Sequence, residues 1–186
     1  MSEKSCPVKT LPGKILLVDE TGTDAVDEIV NDMRQIHPDL EVIGLPITGR
    51  VLRLAQFLTS RREEVLAEFG LTVADFDVLA SLRRRAGAGA VNIRDLLGWV
   101  MLSSGGMTKR LDRLEGAGLL ERRPDPADRR GVLIQLSPRG LQLIDRALPA
   151  ITTSESEFVS RAVAPPELRR HLENGLRRML VSQERR

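Results

Sequence analysis

The sequence predicts a mainly α-helical chain broken once by a small β-hairpin, and three observations predict it. Apolar residues recur at helical spacing through both ends of the chain. Two short runs, Leu119-Leu120-Glu-Arg-Arg123 and Val132-Leu-Ile-Gln-Leu136, change to strand-like runs around a turn-rich loop. Helix-starting and helix-ending residues stand at the edges of most periodic segments.

Taken in order, residues 1–22 mix Pro7, Pro12, Gly13 and Gly22 and read as a tail or loosely attached arm. Residues 24–36 carry Val26, Ile29, Val30 and Met33 at helical spacing, stopped by Pro38. Residues 47–69 form a long amphipathic segment with Val51, Leu54, Leu58, Val65 and Phe69, ended by Gly70. Thr72-Val-Ala-Asp75 has the form of a capping box, with Asp in place of the usual Glu. It opens a helix through Val78, Leu79 and Leu82 to near Gly87. Asn92 caps a short helix over 93–99. Ser103 or Ser104 caps the next, which runs to about Glu115 and ends at Gly116 and Gly118.

The two strands follow, joined by Pro124-Asp-Pro-Ala-Asp-Arg-Arg-Gly131. Ser137-Pro138 then restarts a helix with Pro at its first position, running toward a bend near Pro149. Pro165-Pro166 opens a last helix with Leu168, Leu172, Leu176, Met179 and Leu180. The expected organisation is a flexible segment at 1–22, N-terminal helices at 23–70, a helix-and-hairpin middle region at 71–136 and C-terminal helices at 137–186. The end helices cannot bury their apolar faces on so small a middle module, and a second subunit would cover them.

Composition narrows the function. The 186 residues suit one domain with extensions, and 41% apolar with 29% charged residues is ordinary for a globular protein. No apolar run approaches the roughly 18 residues of a membrane helix, and Ile15-Leu16-Leu17-Val18 is too short for a secretory segment. A cytoplasmic protein without membrane contact is expected. Cys6 is the single cysteine, and His37 and His171 are far apart, so no metal or other cofactor is expected. No phosphate loop or nucleophile elbow appears, and an enzyme is not expected. The net charge of +2 does not by itself point to nucleic acid, and the lack of Tyr argues against a base-stacking platform.

Charge placement is more informative. With each residue of 103–115 turned by about 100°, Met107, Leu111 and Leu114 gather on one side. Gly105, Lys109, Asp112 and Arg113 lie opposite, flanked by Gly106 and Thr108. Small residues for close approach and cations for phosphates and guanine edges suit a helix entering a major groove. With the short helix before it and the hairpin after it, this makes a winged helix-turn-helix at 91–136. The DNA contacts expected are Ser104, Gly105, Thr108, Lys109 and Arg113 on the helix. Arg129 and Arg130 are expected at the wing tip, where Asp128 could steady one Arg for a narrow minor groove. Arg110 sits about 60° from the apolar centre, on the inner flank.

The combination resembles the MarR family of bacterial regulators over roughly residues 49–144. The motifs that carry the resemblance are Gly70-Leu-Thr-Val-Ala-Asp-Phe-Asp-Val-Leu79, Leu102-Ser-Ser-Gly-Gly-Met-Thr-Lys-Arg-Leu-Asp-Arg-Leu-Glu115, Gly118-Leu-Leu-Glu-Arg122 and Asp125-Pro-Ala-Asp-Arg-Arg-Gly131 leading into Leu136-Ser-Pro-Arg-Gly140. The resemblance implies a wing pairing of Asp128 with Arg130. It implies a homodimer on a pseudo-palindromic operator of double-stranded DNA, usually a repressor released by a small molecule. Asp77, Arg110 and Arg122 also resemble the effector-binding set of the urate-responsive branch, where an Asp and two Arg help hold an anionic purine. That branch uses a Trp from its N-terminal helix, and residues 1–50 contain none. The implied effector is therefore a small anionic or aromatic ligand rather than urate in particular. The other readings are a redox sensor through Cys6 and a helical dimerisation adaptor without DNA binding. Trp99 is expected in a core or scaffold role.

Overall fold

The structure is a computed structural model describing residues 10–11, 15–16, 22–85, 89–100, 106–128 and 131–185. Two short strands, β1 (Thr10–Leu11) and β2 (Ile15–Leu16), pair antiparallel within the segment expected to be a tail. The remaining elements are α1 (Ala25–Ile36), α2 (Leu45–Ala67), α3 (Val73–Arg84), β3 (Val91–Asn92), α4 (Ile93–Trp99), α5 (Met107–Gly116), β4 (Leu120–Pro124), β5 (Val132–Leu136), α6 (Pro138–Ala162) and α7 (Pro166–Glu184). The chain divides into two compact units, Met1–Ala55 with Glu157–Arg186 and Gln56–Ser156. The boundaries fall inside α2 and α6. No helix among the described residues is long and apolar enough to cross a membrane.

In the first unit, Asp24 caps α1 through a reciprocal box with Asp27. Arg50 then grips both acids, with Nε donating to Asp24 at 2.9 Å and Nη2 to Asp27 at 2.7 Å. The Arg50 hydrogen bond, and next the Asp24 backbone N–H, hold the Asp27 carboxyl below the ordinary aspartate range. The favourable contribution of this pairing is present above that range and is lost as pH falls through the depressed value. Gly49 lets α2 pass close to α1, since a Cβ there would lie 3.0 Å from Val26 Cγ1. Only Val26 and Val30 of α1 are buried, and α7 has no buried residue. Ile29, Ile36, Ile47, Leu52, Leu172 and Leu180 are all exposed. The unit thus presents large apolar side chains that no described residue of the unit covers.

The second unit holds the main core, built on Leu79, Leu96, Leu111, Leu120, Ile134 and Ile144. Leu66 of α2 and Ile144, Ala147 and Ile151 of α6 join it, so the compact unit extends past 71–136 on both sides. Burying each Leu or Ile contributes roughly 1.5–3 kcal/mol. The capping box at Thr72 and Asp75 and the Asn92 cap of α4 form as the sequence predicts. The hairpin is joined by a third strand, giving the order β3-β5-β4 with Ile134 opposite both Val91 and Arg122. Val91-Asn92 is too short to show strand periodicity, and Asn92 already served as a helix cap, which is why that strand was hidden. Trp99 has the scaffold role expected of it: its carbonyl accepts from Ser81 Oγ and Arg84, and Arg85 stacks over its ring.

The helix-to-sheet junction is tight. The buried Ser137 donates its hydroxyl to the Gly118 carbonyl at 2.6 Å and accepts the Gly140 N–H at 2.9 Å. A Cβ at Gly140 would overlap the Leu119 carbonyl oxygen, which is backbone and cannot turn aside. Helix α6 continues as one helix through Pro149. Gly140→Ala is expected to lower unfolding free energy by about 1–3 kcal/mol, as overpacking does. Denaturant titration would show this as a lower midpoint, and an unchanged midpoint would contradict the junction described.

Candidate nucleic-acid interface

Helix α5 is positioned from the inside. Met107, Leu111 and Leu114 are buried at 5%, 0% and 2% exposure, the stripe predicted from the wheel. With that face sunk in the core, Thr108, Lys109, Asp112 and Arg113 are left exposed and Arg110 half-buried. The helix start differs from expectation. Gly106, in a left-handed conformation with φ 73°, holds the N-cap position and makes no side-chain cap bond. A serine cap at Ser103 or Ser104 would start the helix earlier, but the first helical residue is Met107. Positive φ favours Gly, and the helix dipole at this end favours an anion.

Gly106, Lys109, Arg110 and Arg113 line one open depression of about 300 Å³. Three cations therefore converge beside the start of a helix. Arg113 does not simply project outward as the wheel suggested. Its Nη2 donates to Asp75, whose side chain is 4% exposed, while the Arg113 side chain stays 55% exposed. A long side chain need not follow its Cβ, and a buried carboxylate within reach turns it back toward α3. The sequence marked Asp75 only as a capping residue; one signal for more was the short Asp where a capping box usually has Glu.

Arg122 of β4 bridges to α5, with Nη1 2.6 Å from Asp112 and 3.4 Å from Glu115. Its Nε is buried and has no hydrogen-bond partner among the described residues. Asp112 and Glu115, three residues apart on one helix side, are the partners missed in the sequence. Asp77 is buried on α3 and engaged in interactions of its own. The three residues of the expected effector set therefore sit in one unit, on α3, α5 and β4, and Arg122 is held by the carboxylates of α5.

The wing is closed by its own backbone. Asp125 N–H donates to the Gly131 carbonyl at 3.0 Å, and Gly131 N–H to the Asp128 carbonyl at 2.8 Å. The Asp125 carboxylate accepts the Ala127 N–H at 2.8 Å. A Cβ at Gly131 would lie 2.9 Å from that of Asp125, so the turn requires glycine. Asp128 is exposed near the tip. Ser104, Gly105, Arg129 and Arg130, and with them the Asp128–Arg130 pairing, lie outside the described residues, as does Cys6. No cluster of three or more His, Cys, Asp or Glu suited to a metal occurs among the described residues.

Comparison with known proteins agrees with this architecture. The family model described as "MarR family" matches residues 71–132. The HTH-type transcriptional regulator PecS of Dickeya dadantii is 35% identical over 135 residues, covering 73% of this chain and 81% of PecS. The crystal structure of a mutant MarR from E. coli complexed with operator DNA superposes with a TM-score of 0.63 at 26% identity, covering 76% of this chain and 99% of that one. Bordetella bronchiseptica BpsR, whose structure concerns regulation of DNA binding by 6-hydroxynicotinic acid, superposes with a TM-score of 0.65 at 25% identity. There the coverage is 75% of this chain and 96% of BpsR.

Proposed function

The chain belongs to the MarR family, and we propose that it is a homodimeric transcriptional regulator that places α5 in the major groove of operator DNA. The observation that carries the reading is the depression formed by Gly106, Lys109, Arg110 and Arg113 at the start of a helix whose opposite face is buried. That arrangement aims cations and the positive end of a helix dipole at one place, which suits phosphate and guanine edges. Thr108, Lys109 and Arg113 are the helix residues we assign to DNA contact, together with Ser104 and Gly105 just before it in sequence. Arg129 and Arg130 serve the wing, where the minor groove is most negative. A structure of a mutant E. coli MarR complexed with operator DNA, similar to this fold, supports binding of operator DNA.

The apolar side chains left exposed on α1, α2 and α7 support dimerisation through residues 23–70 and 137–186. The DNA-binding region is 71–136, and the protein acts in the cytoplasm. A regulator of this family has no catalytic step to perform. An adaptor without DNA binding would leave the three convergent cations without a purpose.

Lys109→Ala is expected to weaken operator binding with the dimer intact, and to reduce the slope of log affinity against log salt by about one if Lys109 contacts a phosphate. Electrophoretic or fluorescence titration at several salt concentrations, with sizing of the dimer, measures both. Unchanged affinity in this variant would sink the groove assignment for α5.

The same reading extends to control by a small anionic or aromatic effector, repression being relieved when it binds. Asp77, Arg110 and Arg122 are the residues we assign to it. The Arg122 guanidinium supports this, since its planar fork suits an anion and its Nε has no hydrogen-bond partner among the described residues. An anion that drew Arg122 to itself would compete with Asp112 and Glu115 of the DNA-reading helix. Differential binding to the DNA-free state is what an inducer needs. In a thermal-shift screen of purines and aromatic acids, including 6-hydroxynicotinic acid, a ligand should raise the melting temperature of the wild type. Asp77→Ala and Arg110→Ala should lose that rise. If both keep it in full, the effector site is elsewhere.

A further inference from the structure

Asp75 is buried to 3% exposure, and its two oxygens have different partners. Oδ2 accepts the Thr72 N–H at 3.1 Å and the Thr72 hydroxyl at 2.7 Å. Oδ1 accepts one amino group of Arg113. Thr72 Oγ1 in turn accepts the Asp75 N–H at 3.1 Å, so the carboxylate is locked to the start of α3. Arg113 is the opposite case: over half its side chain is exposed, and it borders the depression shared with Lys109 and Arg110. A guanidinium carries five donors in a planar fork. One edge is taken by Asp75, and the other meets no acceptor among the described residues.

We propose that Asp75 is a positioning residue for DNA binding: it holds one edge of Arg113 so that the free edge is presented to an operator phosphate. The proposal rests on the reading of the protein as a DNA-binding regulator. Two opposing effects decide its sign. A carboxylate behind the guanidinium weakens its attraction for phosphate, but that carboxylate is already offset by two Thr72 donors and by the N-terminal dipole of α3. Against it stands the ordering of a long side chain, which free Arg must undergo at the moment of binding and tethered Arg has undergone in advance. Preorganisation therefore prevails. The tether also selects the target. A guanidinium held back against α3 is poor at extending along base edges, whereas phosphate contacts position a protein without reading sequence.

The test uses the full-length chain and a duplex that the wild type selects from a random-sequence pool. Asp75→Asn keeps an oxygen for the Thr72 cap and removes the charge that holds Arg113. Asp75→Asn and Arg113→Gln should each weaken binding roughly tenfold at about 0.1 M salt, the scale of one phosphate contact. Arg113→Lys should resemble Arg113→Gln more than wild type, because a point charge cannot bridge two acceptors as a fork does. The double variant should bind no worse than Arg113→Gln alone, and base preference in the selected duplex should be unchanged. A purely structural role for Asp75 predicts otherwise: a lower melting temperature and equal costs with or without Arg113. Additive costs, wild-type affinity in Asp75→Asn, or tighter binding in Asp75→Asn would each overturn this inference while leaving the regulator reading intact. Failure of the wild type to select any duplex would overturn both.

Discussion

The burial of Met107, Leu111 and Leu114 on one side of α5 is the constraint on which the DNA-reading arrangement rests. These three side chains key the helix into the same core as Leu79, Leu96 and Ile134. Rotation of α5 about its axis would expose them and bury Lys109 and Thr108 instead, at a cost of several kcal/mol for the leucines alone. The cationic side of the helix therefore has a fixed direction before any DNA arrives. Arg122 adds a second restraint from β4, and the Ser137 and Gly140 junction fixes the sheet against α6. A site held on rigid elements in this way loses little freedom when it binds.

The other unit follows a complementary logic. Its two buried valines and the Arg50 bracket make a local joint, yet large apolar side chains of α1, α2 and α7 stay in solvent. A folded chain with that much uncovered apolar surface is built to associate. Two-fold pairing supplies what a single module lacks, a second recognition helix facing the next turn of the duplex. In the proposed dimer, association and DNA reading are then one design, since pairing brings two identical α5 helices to one duplex.

Much of this was legible in the residues because the decisive signals were local. The capping box at Thr72 and Asp75, the Asn92 cap, Gly70 after α2 and the inward stripe of α5 each depend on neighbours within one turn of chain. What stayed hidden depends on pairs distant in sequence. The β3 strand is two residues long and exists because Ile134 and Leu133 lie across from it. Arg113 meets Asp75 across 38 positions, and a helical wheel shows where its Cβ points but not where its guanidinium ends. Gly106 replaced the expected serine cap because a left-handed residue immediately before Met107 starts the helix there, a backbone choice that Ser103 and Ser104 could not reveal. The likeness to PecS and the MarR structures then connects this geometry to regulators, while the effector assignment rests on Asp77, Arg110 and Arg122.

In the proposed dimer, two copies of α5 read one face of a duplex at a fixed spacing. Hydroxyl-radical footprinting of the selected operator tests it most directly. Two symmetric protected patches are expected, with centres about one helical turn apart, roughly 34 Å or 10 base pairs. A single unsymmetrical patch, or uniform protection without a dyad, would contradict it.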